Sequence, residues 1–248
     1  MLVDTHCHIH EADYPLDAGE VLMEARESGV AKLICIGTNQ QSSEAAVEFA
    51  RSRDGVFAAV GVHPHDTKDG AKGIAGLLGD DSIVAIGEIG LDYYYTHSPR
   101  RVQIAALEQQ LQLARDHNLP VSFHVRDAFD DFWPIFDNFS GLRGVLHSFT
   151  DTVDNLERGL TRQLYIGVNG ISTFTKDTAQ QVMFQSIPLE RMLLETDAPF
   201  LTPSPHRGKV NTPSRVREVA LHQAAVRNMS VDVIMAATTH NALTLFGI

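Results

Sequence analysis

His6 and His8 stand one residue apart in the run Val3-Asp4-Thr5-His6-Cys7-His8. Side chains alternate across a strand, so the two imidazoles point one way and Cys7 the other. Two neutral imidazoles on one side of a strand end make half of a metal site. Residues able to supply the other half recur after later apolar runs: His63, Glu88, His124, His147 and Asp197. Singly, each has a plainer reading. A histidine after a strand is commonly a hydrogen-bonded loop residue, Glu88 can cap a helix, and Asp197 before Ala198-Pro199 can shape a turn. Jointly, such groups are costly to crowd into one apolar pocket without a cation. Imidazole with carboxylate suits zinc, manganese or iron, and a more carboxylate-rich, watery site suits magnesium.

Four imidazoles (His6, His8, His124, His147) and two carboxylates (Glu88, Asp197) are enough for two divalent ions sharing one carboxylate. Glu88, on a central strand, is the natural bridge. Two ions about 3.5–4 Å apart clamp the attacking and leaving oxygens of a displacement at phosphorus and lower the pKa of a bound water. Asp197 is then both a ligand and the general base for that water.

These residues need elements to hold them. Short apolar runs read as strands at Leu2 to His6, Leu33 to Gly37, Val56 to Val62, Ile83 to Gly87, Val121 to His124, Gly144 to His147, Tyr165 to Val168 and Met192 to Glu195. Between them lie helical stretches: Ala18 to Ser28, a helix to about Ser52 capped by Ser42 or Ser43, a weak one around Ile74–Leu78, and a long one from about Pro99 to His117. Further helices follow over roughly Phe129–Phe139, Val153–Leu160 and Thr175–Gln185, and two close the chain at about Ser214–Arg227 and Val231–Leu245. Strands buried on both faces read as continuous apolar runs, as these do. Eight βα units in this length predict a single (β/α)8 TIM barrel over residues 1–248. A doubly wound open sheet is the competitor. It would string the ligand-type residues along a line, whereas a barrel gathers C-terminal strand ends at one mouth.

The chain has 248 residues, 44% of them hydrophobic, and a formal net charge of -11. No apolar run reaches the length of a membrane span, and no basic-then-apolar leader opens the sequence, so a cytoplasmic protein is expected; with no strong interface signal in the sequence, a monomer is the default. Cys7 and Cys35 sit in apparent strands and are expected as buried free thiols. A generally basic surface for duplex nucleic acid is excluded by the charge. Arg207, Lys209, Arg215 and Arg217 cluster after the eighth strand, and Arg207, in a loop bounded by Pro and Gly, is the best placed to hold a phosphate. Tyr93, Tyr94 and Tyr95 can stack on bases, but packing is the expectation for at least two of them. Trp133 is expected to pack. Asp92 is expected to orient a ligand or its loop. The remaining histidines are not at ligand spacing, although His65 and His206 lie near the expected mouth as candidate substrate contacts.

The chain resembles the TatD-type metal-dependent deoxyribonucleases, a branch of the amidohydrolase-like barrels. The motifs that carry the resemblance are Asp4-Thr5-His6-Cys7-His8, Gly61-Val62-His63-Pro64, Gly87-Glu88-Ile89-Gly90-Leu91-Asp92-Tyr93-Tyr94, His124 with Arg126-Asp127-Ala128, Gly144-Val145-Leu146-His147-Ser148-Phe149 and Leu194-Glu195-Thr196-Asp197-Ala198-Pro199-Phe200-Leu201, with Pro205 to Pro213 closing the set. The resemblance implies that His6, His8, Glu88 and Asp197 hold one ion and Glu88, His124 and His147 the second. It implies two divalent ions (magnesium, manganese or zinc) and a 3′-to-5′ exonuclease on single-stranded DNA or RNA ends, with His63 and Arg207 facing the substrate phosphate. Two loops depart from the family pattern, at His10 to Pro15 and at Thr150-Asp151, and bear on substrate choice rather than on metal binding. The alternative is hydrolysis of an amide, ester or lactone in a small molecule on the same barrel. Related barrels with that chemistry often carry a modified lysine at a central strand end, where this chain has Glu88. A non-catalytic binding module would have lost ligands, and none is evidently lost.

Overall fold

The apolar runs form strands and the amphipathic stretches form helices, in the alternation read from the sequence. The computed structural model describes residues 1–95 and 97–248. The strands are β1 (Leu2–Cys7), β2 (Val30–Ile36), β3 (Val56–Val60), β4 (Ile83–Asp92), β5 (Val121–Arg126), β6 (Gly144–Leu146), β7 (Tyr165–Val168) and β8 (Met192–Leu194). The helices are α1 (Ala18–Glu27), α2 (Gln40–Arg51), α3 (Arg100–Asp116), α4 (Phe129–Asp137), α5 (Val153–Thr161), α6 (Thr178–Ser186), α7 (Val216–Arg227) and α8 (Val231–Phe246). The strands make one eight-stranded sheet in chain order, β1 to β8. This is the (β/α)8 TIM barrel that the sequence predicts, with α7 and α8 both following β8. Among the described residues no helix is long and apolar enough to cross a membrane.

The fold comprises two compact units, Met1–Cys35 with Ser148–Ile248, and Ile36–His147. In the first, β1 pairs in parallel with β2, placing Cys7 opposite Cys35, and β7 pairs with β8. β1 also meets the chain just beyond β8: His8 N–H donates to Ala198 O at 2.7 Å, and Asp197 N–H donates to His6 O at 2.9 Å. This contact joins the first strand to the last, as closure of a barrel requires. Buried Asp4 accepts from Thr196 N at 2.9 Å and Thr196 Oγ1 at 2.6 Å, and Thr5 Oγ1 donates to Leu194 O at 3.1 Å. These bonds draw the buried Asp4 carboxylate and the Thr5 and Thr196 hydroxyls into partners, as a dry interior demands.

In the second unit β3, β4, β5 and β6 run parallel in that order. Helix α3 supports the chain just past β3 and the end of β4 with two buried amides. Gln110 accepts from Val62 N at 2.7 Å and donates to Val62 O at 3.1 Å; Gln103 accepts from Asp92 N at 2.9 Å and donates to Asp92 O at 3.0 Å. A glutamine amide offers the same donor–acceptor pair as a peptide, so it completes backbone groups that leave the ladder. Phe129, Phe132 and Phe136 close the outer core of β5 with Trp133, which is buried as expected.

Three local expectations change. The second helix begins at Gln40 and is capped by Asn39, whose side chain accepts from Ser42 N, not by Ser42 or Ser43. Ser43 instead bonds Gly61 N and O. The weak helix around Ile74–Leu78 is a single 3-10 turn at Ile74–Gly76. Finally, β4 runs through Glu88 to Asp92, and β5 runs through His124 to Arg126. The reason is tertiary: Gly90 pairs with His124 and Asp92 with Arg126, and a Cβ at Gly90 would overlap His124 O. Only glycine allows that approach, so the extra ladder rests on one residue.

Candidate metal centre

In the first unit the end of β1 and the chain after β8 supply one cluster. His6 Nε2 and His8 Nε2 lie 3.2 Å apart, and Asp197 Oδ1 lies 3.6 and 3.3 Å from them. The alternation of β1 accounts for the imidazole pair, while Cys7 turns to the other side, where its buried Sγ reaches Ile34 O at 3.5 Å. Burial raises the Cys7 thiol, which keeps it protonated as expected. Asp197 has φ of 57°, held by its N–H on His6 O and by Phe200 N–H on its own carbonyl. Left-handed backbone at a non-glycine residue is costly and tends to persist where a side chain must be aimed. His6 is fully buried, whereas the Asp197 side chain keeps 15% of its surface, so the cluster opens toward solvent on the carboxylate side.

This donor set fits a divalent ion. Ligands held tetrahedrally at about 2.0–2.2 Å lie about 3.3–3.6 Å from one another. The three ligand atoms here lie 3.2–3.6 Å apart.

In the second unit the residues gather on Glu88 Oε1. His124 Nδ1 lies 2.8 Å from it, and His63 Nε2 and His147 Nε2 each lie 3.6 Å away. Glu88 is 4% exposed. His124 Nε2 faces Asp92 Oδ2 at 2.9 Å, and His65 Nε2 reaches the same oxygen at 3.0 Å. Burial alone would raise the Asp92 carboxyl, but the hydrogen bonds from His124, Tyr95 N–H and His65 outweigh it and hold Asp92 below the usual range. Burial likewise opposes a charged His124, and its two carboxylates overcome that, so its pKa is raised. His63 is pushed down to about 3 by burial, against the pull of Glu88, and so stays neutral; its Nδ1 accepts from His65 N–H at 3.2 Å, which leaves Nε2 as the donor.

His6, His8 and Asp197 thus converge in one unit, and Glu88, His124 and His147 in the other. His63, expected to face substrate, lies on the same carboxylate oxygen as the expected ligands, and His63, Glu88 and His124 form a group able to hold an ion. Arg207 is exposed; its guanidinium donates to Thr202 O at 2.7 Å and lies 3.7 Å above the Phe174 ring, with further N–H groups left for a ligand. Asp92 sits where an orienting residue belongs. His65, expected near the mouth as a candidate substrate contact, instead joins this group on Asp92; the repeat in His63-Pro64-His65 is the signal for it. Glu195, in the same motif as Asp197, is fully buried and accepts from Ser148 N at 2.6 Å. Of the three tyrosines after Asp92 only Tyr93 is committed to packing, its hydroxyl donating to Asp131 at 2.7 Å. Tyr94 is 56% and Tyr95 43% exposed, against the expectation that two would pack.

The family model described as "TatD related DNase" matches residues 3–247. An "uncharacterized metal-dependent hydrolase YabD" of Bacillus subtilis is 35% identical over 254 residues, covering 100% of each chain. A "3'-5' ssDNA/RNA exonuclease TatD" of Cronobacter sakazakii is 34% identical, covering 99% of this chain and 97% of its own. The crystal structure of YJJV, a TatD homolog from Escherichia coli, matches with a TM-score of 0.91 and 28% identity, covering 100% of this chain and 98% of its own.

Proposed function

The chain belongs to the TatD related DNase family of metal-dependent hydrolases, and from that premise we propose that residues 1–248 act as one catalytic domain removing nucleotides from the 3′ ends of single-stranded DNA or RNA. The observation that carries this reading is the convergence of His6, His8 and Asp197 at 3.2–3.6 Å, a spacing suited to a divalent cation. His6, His8 and Asp197 are assigned to one ion, and Glu88, His124 and His147 to another, with magnesium, manganese or zinc as candidates. Such ions, when bound, supply Lewis acidity and an acidified water.

The protein groups do the rest. Asp197, the one partly exposed member of its cluster, accepts the proton of the attacking water. Glu88 holds His124 and, with it, the second ion. Neutral His63 donates a hydrogen bond to a phosphate oxygen of the substrate, and exposed Arg207 offers its remaining N–H groups to a substrate phosphate. The acidic surface restricts the enzyme to strand ends, where a few local contacts suffice. The reading includes a monomeric, cytoplasmic enzyme. Hydrolysis of a small amide, ester or lactone is the less favoured reading, because Glu88 stands where a lysine would serve that chemistry.

The test is a metal-supplemented assay on 3′- and 5′-labelled single-stranded DNA and RNA with wild type, Glu88→Ala and Asp197→Asn. Wild type is expected to shorten 3′ ends, and each variant to lose orders of magnitude in kcat. No metal-dependent cleavage by wild type, or a full rate in Glu88→Ala, overturns the reading.

A further inference from the structure

The chain leaves β4 at Asp92, which pairs with Arg126, the last residue of β5. The turn that follows is pinned at both edges: Tyr93 N–H donates to Arg126 O at 2.9 Å, and Tyr95 N–H donates to Asp92 Oδ1 at 2.9 Å. The aspartate side chain closing on a backbone N–H further along fixes such a turn without a core of its own. Tyr94 and Tyr95 are thereby laid over Arg126, whose guanidinium carbon lies 3.9 Å from one ring centroid and 4.9 Å from the other. The two rings meet edge to face at 4.8 Å and 84°, forming a right-angled notch. Tyr94 keeps 56% of its surface and Tyr95, one side of its ring against His97 at 5.7 Å and 27°, keeps 43%, whereas the hydroxyl and ring of Tyr93 are taken up by Asp131 and Arg100.

Two exposed aromatic rings set against an arginine are not what packing of the loop requires. Packing would bury their faces, and Tyr93 shows that this turn can do so. The notch is also continuous with the candidate metal cluster. His65 lies 5.5 Å from the Tyr95 ring and 4.3 Å from the His63 ring, and it shares Asp92 with His124. Asp92 therefore holds a metal-cluster imidazole with one oxygen and the tyrosine turn with the other.

We propose that Tyr94, Tyr95 and Arg126 form a stacking platform for a nucleobase of single-stranded nucleic acid whose phosphodiester lies at the His63–Glu88–His124 cluster. Every base has a π-face, so aromatic stacking holds a single strand without selecting its sequence. Arg126 adds a positive charge beside the rings in a chain of net charge -11, which suits an anionic strand and no bulk duplex surface. The platform rests on the nuclease reading and specifies how that site holds the substrate: by the base, at a fixed offset from the cleaved bond.

The test compares oligonucleotides carrying a single abasic residue at each of the terminal positions with the unmodified strand. Metal-loaded wild type, Tyr94→Ala, Tyr95→Ala, Arg126→Ala and the conservative Tyr95→Phe are assayed, with circular dichroism confirming the fold. Loss of a stacked base costs roughly tenfold or more in affinity. The expected result is a KM about tenfold higher for wild type with one abasic position, and the same rise for Tyr94→Ala or Tyr95→Ala on the unmodified strand. The abasic site then adds nothing further in those variants. kcat stays near wild type, and Tyr95→Phe restores KM. Unchanged KM in both alanine variants overturns the platform and leaves the nuclease reading intact. If wild type cleaves no oligonucleotide, the nuclease reading fails, and equilibrium binding by fluorescence anisotropy decides the platform. Binding weakened by the same substitutions retains it; absent or unaffected binding overturns it. Self-association lost in Tyr94→Ala would mark the notch as a surface for a second copy of the chain and would also overturn it.

Discussion

At the scale of single residues, Asp92 carries more of the site than its place beside the ligands suggested. Its Oδ2 takes His124 and His65, and its Oδ1 takes Tyr95 N–H. An outer carboxylate that orients a ligating imidazole is typically worth 10–100-fold in metal affinity. Asp92→Asn is therefore expected to weaken metal binding by about that factor in isothermal titration, with His6, His8 and Asp197 untouched; unchanged affinity would remove Asp92 from the site. Glu88→Ala permits a separate reading by metal analysis. With Glu88 assigned to the ion of its own cluster, the variant is expected to keep one ion and lose the other; full occupancy would remove Glu88 from that site. His6, His8, Glu88, His124, His147 and Asp197 were all legible as ligand candidates because each follows an apolar run. Asp92 was legible only as an orienting residue, and His65 only as a candidate substrate contact near the mouth, because the shared oxygen between them depends on a ladder that the sequence does not display.

At the scale of elements, the decisive feature is the overrun of β4 and β5. An apolar run predicts where a strand begins better than where its pairing stops, since pairing needs a partner at the same height. Gly90 allows β5 to approach, and the ladder then extends to Asp92 and Arg126. Gly90→Ala puts a methyl into His124 O and asks for a φ that alanine resists. Overpacking of this kind costs about 1–3 kcal/mol, which for a chain of this size lowers Tm by roughly 2–12 °C. Thermal denaturation checks it, and a wild-type Tm would show that the strands can part without loss. The same substitution should impair metal binding, because His124 sits on the displaced backbone. Helix α3 contributes in another way: Gln103 completes both backbone groups of Asp92, so Gln103→Leu is expected to cost about 1–3 kcal/mol by stranding them. The amphipathic spacing of α3 was plain in the sequence. That two of its inward residues would be glutamines serving a strand was not, since a buried amide looks like a polar residue until its partners are known.

At the scale of the whole molecule, ion binding and folding are linked. An ion bound by the folded chain alone adds about 2.7 kcal/mol at a hundredfold excess over Kd. Metal loading should therefore raise Tm by about 5–10 °C over the chelated protein; an unchanged Tm at saturating metal would speak against both clusters as ion sites. The net charge of -11 makes a second global prediction. A single strand held by two or three phosphates has a shallow salt response, about seven- to twentyfold in KM between 50 and 200 mM salt. A response of a thousandfold would instead signal an extended basic track and contradict the restriction to strand ends.

The sequence by itself determined the alternation of strands and helices, the (β/α)8 class and the ligand-type residues, because these reside in local periodicity and in residue chemistry. A two-residue repeat fixes that His6 and His8 share a side, and an apolar run fixes that they follow a buried strand. The tertiary structure alone decided which groups meet: Asp197 N–H on His6 O across 191 positions of chain, His63 on the oxygen that His124 uses, and Asp92 between a metal-type imidazole and an exposed tyrosine turn. Such meetings depend on strand register and on one glycine's lack of a side chain. Those are properties of how distant segments pack, and no local pattern encodes them.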